Sequence, residues 1–396
     1  MRGVPGNGAD LWGFSAAVRL VRMTGDVIGN RQLNRATLER QLLLDRSGRA
    51  VGDAVAHLVG LQAQEPLDPY FALWSRLAGF RPERLVEPFV DRELVRCVAL
   101  RGTIHLVTAA DCVGLRHLVQ PVLDEELTRH SEHRHHLDGV DLAPVLDFAR
   151  PFLAEPRSLK QLKDGLAAAF PDMSAPALAY ACRNHLVLVQ VPPRGVWGRT
   201  LQVTYAEAEA WLGRPIDTSA SIDDLVLRYL AAFGPAATPD IATWSRLKRM
   251  REVVDRLRPR LRTYRDERGR ELFDLADAVL PDPDVPAPVR FLPEYDNMLL
   301  SHDDRSRVID RSEVGPLYAV HEGKRHYPGS VLIDGRAGAT WWIDHDAKAG
   351  TATLHVDHLG ALAPEVVAEI EAEGKALLQF AAEDATEVDI RFRDLA

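Results

Sequence analysis

One phrase occurs three times in this chain and limits its fold more than any other feature: a helix, a second helix, then two strand-like runs joined by a short turn. In the first round, LNRATLERQLLL places Leu38 and Leu42 at helical spacing behind Asn34, a good N-cap, and VGDAVAHLVGLQ repeats the pattern with Val51, Val55, Leu58 and Val59. That second helix is expected to stop near Gln64, because Pro66 disfavours helix at Glu65 and Pro69 follows. LVRCVAL and TIHLV then flank Arg101-Gly102, where Gly supplies a turn and β-branched residues supply strands. Thr108 with Asp111 reads as a capping box opening the next helix.

In the second round Ser158 and Gln161 form a capping box before LKDGLAAAF, Ser174 opens a helix through Cys182, and LVLVQVPPRGVWGRTLQVTY reads as a ribbon with a Pro/Arg/Gly tip. In the third, Ser221 and Asp224 cap LVLRYLAAF. Thr238-Pro239 is an N-cap with Pro at the first helical position, IATWSRLKRMREVVDRL is a helix or a broken pair of helices, and RLRTYRDERGRELFDL is a hairpin with its tip at Asp266 to Gly269. The rounds share architecture without sequence identity, so they read as tandem winged helices and not as a solenoid. After Leu280, PDPDVPAPV cannot continue a helix and separates a last segment. There VRFL, SVLID, ATWWID and TATLHV suggest a small antiparallel sheet or barrel, with one helix from Pro364 to about Ala381 and a final strand TEVDIRF.

The expected fold class is α+β. A leader over 1–30, disordered or preceding a true start at Met23, is followed by winged-helix units over 31–145, 146–215 and 216–285, then a β-rich domain over 286–396. A length of 396 residues and 46% hydrophobic content supply cores for such units. Cys97, Cys112 and Cys182 are dispersed and odd in number, which argues against a disulfide framework or zinc knuckle and for a reducing cytoplasm. Apolar stretches are too short for a membrane span and the N-terminus lacks a secretory pattern, so no membrane partner is expected.

A formal net charge of −9 confines any nucleic-acid contact to a local patch. One exists between Asp240 and Arg270, where 11 Lys/Arg face 5 acids. Arg246, Lys248, Arg249, Arg251, Arg265 and Arg268 are its candidate phosphate contacts. The alternative is a solvated helix face with pairs such as Arg251 with Asp255. The second ribbon tip offers Arg194, Trp197 and Arg199, which could enter a groove or stack on a base, unless Trp197 packs back on its own domain. Gln62-Ala63-Gln64 sets two neutral amides on one side of an extended backbone, a signal that is weak alone.

His130, His133, His135 and His136 lack a complementary carboxylate or Cys and read as a solvated helix end, so no metal and no cofactor is expected. Glu294, Asp296, Asp303 and Asp304 are more cheaply explained by turns and caps than by catalysis. No phosphate-loop, dinucleotide or nucleophile-elbow motif occurs in a suitable place.

Five blocks in order, LNRATLERQLLLDR, HLVGLQAQEPLDPYFALWSRL, LVRCVALRGTIHLVTAADC, RFLPEYDNMLLSHDDR and VLIDGRAGATWWID, resemble the AlkZ/YcaQ-type winged-helix DNA glycosylases from about Gln32 to the C-terminus. The resemblance implies three winged-helix units in a C-shape with a C-terminal β domain, acting as a monomer on double-stranded DNA that carries alkylated bases or natural-product crosslinks. It also implies N-glycosidic cleavage in base excision repair or antibiotic self-resistance. The family's catalytic Gln-x-Gln motif falls on Gln62, Ala63 and Gln64; a related branch carries Gln-x-Asp. The family's lesion-probing hairpin maps to no certain residue here, the tips near Arg194 and Arg268 being candidates. Set against this enzyme reading is a non-catalytic winged-helix regulator, which would dimerise on a palindrome and leave damaged DNA intact.

Overall fold

The computed structural model describes residues 26–129, 131–199, 202–319 and 328–395. Val27–Ile28 (β1) runs parallel to a strand of the third hairpin, Val27 opposite Arg265, so the end of the expected leader is structured. Residues 1–25, Met23 among them, lie outside the described residues. The first helix, α1 (Asn30–Arg40), is capped at Gly29 and not at Asn34. Asn34 lies inside it, buried, and its amide donates to Arg307 O and Gly335 O, both at 2.7 Å. The residue read as a cap instead ties the first helix to the C-terminal segment.

Helix α2 (Val51–His57) is also shorter than its apolar pattern. Val59 (φ 55°) and Gly60 (φ 94°) turn the chain through the left-handed region, and Leu61–Gln62 leave as a strand, β2. Gly60 is needed there, since a Cβ would meet Val107 Cγ1 at 2.8 Å and Leu106 O at 3.1 Å. Periodicity continued through this turn because Leu58, Val59 and Leu61 are buried on either side of it.

After α3 (Asp68–Arg76) and α4 (Glu83–Val90) the expected first hairpin forms from β3 (Leu94–Val98) and β4 (Ile104–Thr108), with a single 3₁₀ turn at Leu100–Gly102 between them. β2 adds to the other edge of β4, Gln62 opposite His105. Thr108 Oγ1 accepts from Asp111 N at 3.0 Å at the start of α5 (Ala109–Arg129). Helices α6 (Ser131–Leu137) and α7 (Ala143–Phe152) lead to β5 (Arg157–Ser158) and to α8 (Leu159–Ala169), which has the expected Ser158–Gln161 capping box. Next come α9 (Ala175–His185) and the ribbon of β6 (Leu188–Gln190) and β7 (Thr204–Glu207). Because β6 pairs with β3, the ribbons of the first two rounds fuse into one sheet, ordered β2-β4-β3-β6-β7-β5.

A short α10 (Ala208–Leu212) precedes α11 (Ile222–Phe233), capped by Ser221 as expected. The long basic run is two helices, α12 (Thr238–Ser245) and α13 (Met250–Leu257), separated where Arg246 (φ 57°) and Arg249 (φ 63°) adopt left-handed backbone. The N-cap of α12 is Ala237, one residue before Thr238, because the Asp240 carboxylate accepts from Ala237 N at 2.8 Å. The third hairpin is β8 (Leu261–Asp266) with β9 (Glu271–Leu275).

The C-terminal segment contains β10 (Arg290–Leu292), α14 (Asn297–Leu300), α15 (Arg311–Tyr318), β11 (Gly329–Ile333), β12 (Arg336–Asp346), β13 (Thr351–His358), α16 (Pro364–Ala381) and β14 (Glu387–Asp394). Its sheet follows chain order, antiparallel through β13 as expected, but β14 is parallel to β13. The physical reason is α16, a crossover helix that returns the chain to enter the sheet in the same direction.

The first round and the C-terminal sheet share one core. Tyr70, Leu73 and Leu77 of α3 pack in the same cluster as Phe291, Val331, Trp341, Leu354 and Leu377. Each such side chain contributes about 1.5–3 kcal/mol by burial. Beside this core Arg76 makes two hydrogen bonds to the Asp296 carboxylate, at 2.7 and 2.8 Å, both side chains inaccessible to water. These contacts fix α3, and through it the short β2 that carries Gln62. No helix among the described residues is long and apolar enough to cross a membrane.

Candidate active site

Pairing with β4 buries Gln62 to 8% exposure and leaves Gln64, beyond the strand, exposed. Ala63 between them is fully buried; its N–H donates to Ile104 O at 2.8 Å and its carbonyl accepts from Arg96 Nη2 at 2.7 Å. The motif therefore leaves the sheet in extended form, at a strand end instead of the helix end its periodicity predicted.

The Gln62 carboxamide has a fixed orientation. Arg101 Nη2 donates to Gln62 Oε1 at 2.7 Å, and because guanidinium carries only donors the oxygen, not the NH₂, must face it. Gln64 is held loosely by comparison, its Oε1 being 3.5 Å from Ile104 N. His105, opposite Gln62 in the sheet, donates from Nδ1 to Thr103 O at 3.0 Å, so its Nε2 lone pair faces Arg101 Nη2 at 3.3 Å. Burial and the neighbouring Arg101 charge push His105 down to about 3, which keeps it neutral. Burial also lowers Arg101, to about 10, leaving it a cation at neutral pH.

Arg101 and His105 were not singled out from sequence. The Arg101-Gly102 turn is visible in the sequence, but that Arg101 itself adopts left-handed backbone (φ 59°), uncommon for arginine, is not. The His105 role depends on β2 joining β4, which no local pattern shows.

Arg101 also links the motif to the basic segment. Its Nη1 donates to Trp244 O at 3.2 Å, and Arg246 Nη1 donates back to Arg101 O at 3.0 Å. The structure thus brings Gln62 and Arg246 to one site. The basic segment is more balanced in space than in sequence: Arg246 lies 3.6 Å from Glu126, Lys248 3.2 Å from Glu125 and Arg249 2.7 Å from Glu252. Arg251 is exposed and has no ion pair among the described residues. Side chains of Lys248 and Arg249 are each 77% exposed, so these pairs are weak and can be exchanged for phosphate. In the third hairpin Arg265 donates to Gly269 O at 2.9 Å and Arg268 lies 3.2 Å from Asp304.

The second tip is divided. Arg199 is exposed and Arg194 half-buried. Trp197 turns inward, yet not onto its own unit: its ring packs on Tyr70 of the first round and Phe380 of the C-terminal segment, with centroids at 5.0 and 5.1 Å, beside an aromatic cleft of about 1060 Å³. Of the histidines, His130 lies outside the described residues, His133 packs against Tyr180 at 5.0 Å, and His135 and His136 are exposed. Among the described residues no three His, Cys, Asp or Glu are grouped to hold a metal ion. Asp296 caps α14 through Met298 N at 2.9 Å, and Asp304 accepts from Ser306 N at 3.0 Å and pairs with Arg268 and Arg270, so the acidic cluster is structural there.

No curated protein matches the sequence. Among solved structures, the DNA glycosylase AlkZ of Streptomyces sahachiroi superposes with a TM-score of 0.75 at 20% identity, covering 93% of this chain and 100% of that one. This likeness establishes the fold, a mixed α+β arrangement of the AlkZ kind. The family described as "DNA glycosylase AlkZ-like" matches over residues 55–380, from within α2 to within the last turn of α16, and so includes the Gln62–Gln64 segment, the Arg101 turn and the basic helices. The chain is a member of the AlkZ-like DNA glycosylase family.

Proposed function

We propose that this protein is a monofunctional DNA N-glycosylase acting as a monomer on duplex DNA, releasing purines alkylated at guanine N7 or adenine N3, including natural-product adducts and crosslinks. In this reading the three helix–helix–ribbon rounds are tandem winged-helix units that curve around DNA in a C-shape, with the β-rich segment as buttress. Base excision repair and antibiotic self-resistance are the settings it serves, in the cytoplasm.

The observation that carries the reading is the fixed, neutral Gln62 carboxamide beside the exposed Gln64 amide. A base alkylated at N7 or N3 is cationic and departs without being protonated, so no general acid is required. What remains is to hold a water against the developing oxocarbenium ion, a task of orientation and dipole placement. Arg101 occupies one lone pair of Gln62 Oε1 and leaves the other for water. Gln64, loosely tethered, assists that water or orients the sugar.

The test is incubation with a duplex bearing N7-methylguanine, followed by detection of freed base and abasic sites. Gln62→Ala is expected to slow release at least about tenfold, roughly 1.4 kcal/mol of barrier, with little change in DNA affinity. Intact damaged DNA with the wild-type protein would refute the enzyme and favour a non-catalytic DNA binder; equal rates for wild type and variant would refute the role of Gln62.

A further inference from the structure

The buried and half-buried arginines fall into two groups: Arg76 faces Asp296, Arg40 faces Asp274 and Arg228 faces Asp111, whereas Arg96, Arg116 and Arg307 form no ion pair within 4 Å among the described residues and donate to neutral acceptors. Arg101 belongs to the second group. Its guanidinium donates to three neutral acceptors, Gln62 Oε1, Trp244 O and His105 Nε2, and no ion pair within 4 Å is formed by it among the described residues. The side chain is half-buried, in the position where an unmatched charge is costly. Its left-handed backbone (φ 59°) is held by the hydrogen bond from Arg246 to its carbonyl, so the fold maintains both the strain and the charge.

Such a group is suited to an anion that arrives with the substrate. Guanidinium has five N–H donors, and three contacts leave at least two for a phosphate. Arg246, 43% exposed, extends positive charge from Arg101 toward Lys248 and Arg249, along a line a DNA strand could follow. We propose that Arg101 binds a phosphodiester flanking the damaged nucleotide and, with the same guanidinium, positions Gln62 for its water. DNA engagement and the geometry of the Gln62 amide are thereby coupled through one side chain. This rests on the glycosylase reading for its second half only; the phosphate contact requires no catalysis.

The test uses the full-length protein and a duplex with a tetrahydrofuran abasic analogue, which cannot be turned over. Replacing phosphates near the analogue one at a time by uncharged methylphosphonate should reveal a linkage whose neutralisation weakens wild-type binding by tenfold or more but leaves Arg101→Gln nearly unaffected. The slope of log K against log[salt] should fall by about 0.9 in Arg101→Gln and be retained in Arg101→Lys, which keeps the charge. With N7-methylguanine DNA at saturation, Arg101→Lys should still release base more slowly, since an ammonium lacks the planar fork that fixes Gln62. If no linkage distinguishes wild type from Arg101→Gln, and the slope is unchanged, the phosphate site is refuted. The methylphosphonate scan on the wild type does not depend on any variant folding: a scan in which no linkage weakens wild-type binding also refutes it. If wild-type protein frees no base, the functional reading fails while binding data still decide the phosphate contact.

Discussion

His105 provides a quantitative test of how the site is built. It is 1% exposed, beside a guanidinium, and held neutral with its value pushed from 6.5 down to about 3. An unfolded chain would release this constraint and let the imidazole take a proton below about pH 6.5. The unfolded state therefore binds more protons as pH falls, and stability must drop with it, fully present above pH 6.5 and lost progressively toward pH 3. For values of 6.5 and about 3 the loss from this residue between pH 7.5 and 5 is about 2 kcal/mol. Urea unfolding of wild type and His105→Gln at both pH values isolates the term, because buried His302, also lowered by burial, contributes equally to both proteins. Wild type should lose about 2 kcal/mol more than the variant over this interval. Equal losses would show that His105 is not held neutral by its surroundings and would remove the tautomer assignment on which its lone-pair contact with Arg101 rests.

Two further outcomes follow from the pairings. Asp296→Asn should destabilise by about 3–5 kcal/mol in thermal or urea unfolding, because Arg76 is left charged in a dry interior, whereas joint replacement by Arg76→Met and Asp296→Leu should cost much less; equal costs would contradict the burial argument. Lys248→Glu with Arg249→Glu should weaken DNA binding across sequences and flatten its salt dependence while leaving the melting temperature nearly unchanged, since both side chains are exposed; a large drop in melting temperature would instead mark them as structural.

Local chemistry made much of this fold legible. The β-branched runs around Arg101-Gly102 do pair, the Ser158–Gln161 and Ser221 caps form, and the strands and helix of the C-terminal segment fall where alternation and Gly/Asp turns put them. Boundaries failed where backbone conformation was set by residues with no local signature. Val59, Arg246 and Arg249 adopt left-handed geometry that composition does not announce, and so α2 ends at His57 and the basic run divides. Asn34 looked like a cap because the same amide that caps a helix can serve two distant carbonyls. The Gln pair is visible as a motif, but the side chains beside Gln62, Arg101 and His105, lie 39 and 43 positions further along and are brought near by a two-residue strand pairing that no periodicity detects.

A neutral motif and an unmatched cation explain one another in this arrangement. Were position 62 a carboxylate, it would face Arg101 at ion-pair distance, neutralise it and be itself held in a salt bridge. The cation would lose its attraction for phosphate, and the carboxylate would lose a lone pair and much of its charge to the bond. A carboxamide accepts from the guanidinium without cancelling its charge, so the proposed phosphate contact and the proposed water-holding dipole can coexist within a few ångströms. The cost is a weaker general base, tolerable only when the leaving group already carries positive charge. The amide at Gln62 and the proposed restriction to cationic lesions are then two consequences of placing Arg101 where it is.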